Sequence, residues 1–112
     1  MTAEAPGGSL ATAEPPPPPP LPEDLGPAGR RLWEAVCGVF VLDPHTLATL
    51  ESAARELDRA HAAEQALAKA GEYVTDRYGS PKQHPAVQVA RSSRLAAARL
   101  VQALGLPDKA AG

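Results

Sequence analysis

The chain has 112 residues, 13 prolines, a single cysteine and a formal net charge of −2. That length holds one domain at most, and Cys37 alone excludes an intramolecular disulfide and argues against a cysteine-based zinc site within one chain. No apolar run approaches the roughly 18 residues of a membrane span, and no basic residue precedes an apolar N-terminal segment as in a signal peptide, so a soluble, intracellular protein is expected.

The net charge conceals a gradient. Residues 1–29 carry four acids and no base, residues 30–71 five bases and six acids, and residues 72–112 six bases and three acids. Any attraction to nucleic acid therefore belongs to the C-terminal part, with Arg30 and Arg31 in support.

Residues 1–24 form an acidic, proline-rich arm with too few large apolar side chains to offset the cost of ordering, and are expected to be disordered. The run Pro15 to Pro20 favours extended polyproline II and reads as a stiff, solvated arm. The foldable part is residues 25–108, with 109–112 a short tail. A domain of this size is near the lower limit for independent stability, which points to oligomerisation.

A first helix follows Pro27, a residue suited to the first turn. Leu32, Val36, Val39 and Phe40 share one face, and Trp33 is expected to anchor a core or an interface. A second helix opens at Asp43 and Pro44 and runs without a breaker to Gly71, a C-terminal cap. At 1.5 Å per residue it spans about 40 Å, against a diameter of roughly 30 Å for a compact domain of this size. This excess length implies a partner chain.

The segment "EYVTDRYGSPKQ" predicts a short β-hairpin or an extended loop, with Arg77 and Lys82 flanking its turn. The third helix opens at His84 and Pro85. Its positions Val87, Ala90, Ala97, Ala98, Leu100, Val101 and Leu104 cover an apolar arc of roughly 160°. Arg91 and Arg99 lie opposite that arc. Arg94 projects into it and requires an acidic partner from another helix or subunit. The fold expected is mainly α: three helices with a long central one, and a hairpin or extended loop between the second and third.

No catalytic constellation emerges. His45, His61 and His84 are far apart and none has the i,i+4 spacing of helical zinc ligands. Asp58 and His61 are read as a solvated polar pair. There is no phosphate-cradling glycine loop and no Ser/His/Asp arrangement, so a non-enzyme without cofactor or metal is expected.

The ordered segments "GRRLWEAV", "LDPHTLATLESAARELDRAHAAEQAL" and "HPAVQVARSSRLAAARLVQALGLP" resemble the small subunit of the tailed-phage packaging terminase. The resemblance covers about residues 26–108, and its most specific piece is the stretch from His84 to Pro107. It implies a non-catalytic factor of the host cell cytoplasm that assembles as a homo-oligomeric ring. Such a factor recognises viral double-stranded DNA and delivers it to the large ATPase and nuclease subunit.

On that reading Arg77, Lys82, Arg91 and Arg99, with Arg30 and Arg31, are the candidate DNA contacts. Leu57, Arg94, Val101 and Leu104 are the candidate oligomer interface. A ring multiplies a weakly cationic segment into a strong field. The alternative is a small helical adaptor that binds a protein through its long helix and proline arm. A helix-turn-helix repressor fits less well, because the segment between the second and third helices is too long for a tight turn.

Overall fold

A computed structural model describes residues 17–107. The expected disorder of the arm falls largely on residues 1–16, and the expected tail on 109–112, both outside the described residues. Residues 17–22 carry no regular secondary structure, and a turn at Glu23 and Asp24 leads into the first helix. Asp24 takes a left-handed conformation, with φ at 68°, which aspartate tolerates better than most residues.

Three helices and one hairpin follow among the described residues: α1 Pro27–Cys37, α2 Pro44–Ala70, β1 Tyr73–Thr75, β2 Pro81–Gln83 and α3 Pro85–Ala103. Each helix begins at a proline, whose fixed φ suits the first turn and whose missing N–H costs nothing there. Asp43 caps α2 by accepting the Thr46 N–H at 3.0 Å. Hydrogen bonding from the Thr46 side chain, and then from its backbone N–H, holds the Asp43 carboxyl below the ordinary aspartate range. Gly71 closes α2, its φ of 83° serving where an L side chain would be strained.

α1 ends earlier than its apolar pattern predicts. The helix stops at Cys37 and the Gly38 N–H closes it onto the Glu34 carbonyl at 2.9 Å. Glycine inside a helix costs about 1 kcal/mol relative to alanine, so the pattern at Val39 and Phe40 does not carry the helix past it. Val39 is accordingly 51% exposed.

α2 and α3 form an antiparallel pair. Near the start of α3, Ala86 and Ala90 pack on Ala63 of α2, with Ala66 and Leu67 beside them. At the other end, Leu104 reaches the cluster of Leu25, Trp33, Leu50 and Ala54, where α1 lies on the N-terminal half of α2. The length of α2 is thus covered in succession by two helices of its own chain. Its buried face is mostly alanine, Leu50 being the one large side chain that is fully enclosed among the described residues. Small side chains allow close helix approach but bury little area each, and stabilisation follows apolar area at roughly 25 cal/mol per Å².

Candidate nucleic-acid interface

The cations divide into two groups by their partners. Arg55 pairs with Glu51 at 2.8 Å, Arg59 with Glu56 at 3.5 Å, and Arg94 with Glu64. Arg30, Arg31, Arg77, Lys82, Arg91 and Arg99 form no salt bridge with any acid among the described residues. All six are exposed. They are the six candidate DNA contacts expected from sequence.

Each stands on a defined support. Arg30 and Arg31 lie in the first turns of α1 and border a shallow cleft with Leu25, Pro27 and Glu34. That end of α1 is fixed by Asp58 of α2, whose carboxylate accepts the N–H of Gly26 at 2.7 Å and of Gly29 at 2.8 Å. Gly26 has no side chain with which to cap the helix, so Asp58 supplies the missing acceptor from α2, and its charge complements the helix N-terminus. Asp58 is therefore a buttress for α1 rather than half of a solvated pair with His61. Sequence spacing carries no signal for this, because the partners are 29 and 32 residues away.

Arg91 and Arg99 point outward from α3, about 12 Å apart along its axis. Leu95 lies between them on the same face, 51% exposed. Arg91 also borders a cleft with Glu64, Glu72 and Arg94, so its field is partly offset there.

Arg77 and Lys82 belong to the hairpin. β1 and β2 pair antiparallel, with Tyr73 opposite Gln83, Val74 opposite Lys82 and Thr75 opposite Pro81. This sets Lys82 on the same face as Val74. Both tyrosines of the chain are on this hairpin and both are exposed, Tyr73 by 64% and Tyr78 by 78%. Their strand propensity is legible in the sequence; their exposure is not. Lys69, in the last turn of α2, is a further exposed cation near the hairpin's base in sequence, and no motif marks it.

The proposed oligomer residues are placed differently from one another. Arg94 finds its acid within the chain: its Nε and Nη2 donate to Glu64 Oε2 and Oε1 at 2.6 and 2.7 Å. The buried stripe of α3 runs through Ala86, Ala90, Ser93 and Ala97, which leaves Arg94 at its edge rather than its middle. Leu104 flanks the Trp33 cluster and Leu57 is half-buried. Val101 remains 37% exposed. Among the described residues no group of acids, histidines and cysteine is arranged to hold a metal ion, and no helix is long and apolar enough to cross a membrane.

The chain is thus a helical pair joined by a hairpin, with six of its cations exposed and free of salt bridges among the described residues. The family described as "Phage terminase, small subunit" matches residues 30–111. The chain belongs to that family, and its role is in phage DNA packaging. No curated protein and no solved structure matches it.

Proposed function

We propose that this chain is the non-catalytic subunit that recognises viral double-stranded DNA in the packaging terminase and delivers it to the large subunit carrying the ATPase and nuclease. The observation that carries this reading is the division of the cations. Arginines at helix–helix or intrahelical positions are neutralised by acids, whereas Arg30, Arg31, Arg77, Lys82, Arg91 and Arg99 are left to solvent. Phosphate contacts of this kind position a protein on DNA with little reading of sequence.

The protein acts as a homo-oligomer, for which a ring is the natural closed form. Support comes from the alanine-rich interior and the large aliphatic side chains outside it and away from the Arg91 and Arg99 face: Val39, Val41 and Val101 are all exposed. In a ring the weak field of one chain is repeated at every subunit. Residues 25–108 are the domain that assembles, acting inside the infected host cell.

Fluorescence anisotropy at several salt concentrations tests the DNA contacts. Arg91→Ala combined with Arg99→Ala is expected to weaken binding and to flatten the slope of log affinity against log salt by about 0.9 for each phosphate that is no longer neutralised. Native mass spectrometry should show the oligomer unchanged, because Arg91 and Arg99 lie on a different face of α3 from Val101, the residue of that helix assigned to the subunit contact. Wild-type affinity and slope in the double variant would move the DNA-binding surface away from α3.

A further inference from the structure

The hairpin tip is held by several internal hydrogen bonds. Asp76 Oδ1 accepts the N–H groups of Tyr78 and Ser80 at 2.8 and 2.9 Å. The Asp76 N–H donates to the Ser80 carbonyl at 2.8 Å, and the Gly79 N–H to the Asp76 carbonyl at 3.0 Å. Gly79 accommodates the tight return with φ at 83°. The one carboxylate at the tip is thereby engaged with internal amides.

On this fixed backbone the Arg77 guanidinium sits 5.1 Å from the centroid of the Tyr78 ring. A cation covers one side of the ring, while the residue as a whole is 78% exposed. The other side is open. Neighbouring Thr75, Gly79, Ser80 and Pro81 are exposed as well, so the ring lacks the apolar surround that excludes water at a protein-binding hot spot. A rigid aromatic face backed by a cation is instead suited to stack on a nucleobase, with the cation meeting the adjoining phosphate.

We propose that Tyr78 is a base-stacking residue and that the hairpin tip selects DNA in which a base is unstacked or easily unstacked. This rests on the reading of the chain as a DNA-binding protein and adds a second mode to it. The cations of α1 and α3 hold any duplex, and the tip distinguishes duplexes by deformability. A perfectly stacked duplex hides the faces of its bases, whereas a mismatch, a bubble or a flexible pyrimidine–purine step exposes them at lower cost.

The test compares full-length wild type, Tyr78→Ala and Tyr78→Phe on a perfect duplex and on the same duplex with a short central bubble, by anisotropy at one salt concentration. Wild type should favour the bubble by about fivefold or more, the range expected for one stacked base. Tyr78→Ala should lose that preference yet bind the perfect duplex within about twofold of wild type, and Tyr78→Phe should retain the preference. Circular dichroism of each variant should be unchanged, since the ring is external to the fold. A wild type that does not distinguish the two probes, or a preference that survives in Tyr78→Ala, overturns the proposal while leaving DNA binding in place. Absence of binding to either probe overturns the DNA-binding reading itself. An altered oligomer mass in Tyr78→Ala with the bubble preference intact would assign the tip to a protein contact and also overturn it.

Discussion

Gly29 and Asp58 decide how closely α1 approaches α2. A Cβ at Gly29 would lie 2.5 Å from Asp58 Oδ2 and 2.6 Å from the Ala54 carbonyl oxygen, both far inside contact distance. The second of these is backbone and cannot rotate away. Alanine is the better helix former by about 1 kcal/mol, so local propensity alone predicts that Gly29→Ala stabilises the protein. Crowding opposes it and is larger: overpacking costs about 1–3 kcal/mol, and displacing Asp58 also removes the acceptor of two N–H groups. Gly29→Ala is therefore expected to lower stability by about 1–2 kcal/mol in urea unfolding followed by circular dichroism. Unchanged or raised stability would mean that α1 shifts freely on α2. Cys37, nearby at the end of α1, is half-buried, and burial pushes its thiol above the ordinary value.

Between elements, Glu64 of α2 is tied to Arg94 of α3. The two hydrogen bonds from the guanidinium hold the Glu64 carboxyl below the ordinary glutamate range and raise Arg94 further above neutrality. A carboxylate whose folded value is depressed stabilises the fold above its unfolded value, and the contribution disappears as pH falls through the depressed one. The side chains are 39% and 54% exposed, so solvent screening limits the pair to at most about 1 kcal/mol. Thermal melts of wild type and Glu64→Gln should differ at neutral pH and converge once acidification has passed through the depressed Glu64 value. A difference that persists in acid would assign the effect to packing rather than charge.

The sequence announces this pair only halfway. Arg94 stands out as a cation beside apolar neighbours, but nothing local points to Glu64, 30 residues earlier. α2 itself is fully legible because its ends are marked chemically, by Asp43 with Pro44 and by Gly71. α1 is not, because the apolar spacing that continues to Phe40 competes with Gly38. The direction of the buried stripe on α3 also differs from the apolar arc: Ser93, a polar residue, is 3% exposed, and periodicity of apolar side chains alone does not assign it to the interior.

For the molecule as a whole, the question is what covers its exterior aliphatics. The length of α2 suggests a partner because it exceeds a compact domain, yet α1 and α3 together already cover its buried face. On the proposed oligomeric reading, the candidate contacts are instead the side chains that α1 and α3 leave outside. Val101 is 37% exposed, so a charge there is tolerated in a lone chain and costly in an interface, where an unpaired buried carboxylate costs several kcal/mol. Val101→Glu is expected to keep the helical circular dichroism of wild type but to shift sedimentation toward smaller species. Leu57→Glu, at a half-buried position on α2, should lower thermal stability as well. An intact oligomer in both variants would place the subunit contact on another surface. Among the candidate DNA residues, charge and exposure are readable from sequence. Their freedom from internal partners is not, because it depends on which acids the fold brings to Arg55, Arg59 and Arg94.

The burial of Trp33 has an optical consequence. It is the chain's sole tryptophan and is 5% exposed, enclosed with Leu25, Leu50 and Ala54 where α1 meets α2. Its emission therefore reports on one place in the molecule. Undocking of α1 would shift the indole spectrum toward that of a hydrated ring, while events confined to the hairpin, at the opposite end of α3 from Leu104, would leave it unaltered. Titrating the protein with DNA and following this single fluorophore separates binding that reaches Arg30 and Arg31 from binding that stays at the far end of the helical pair.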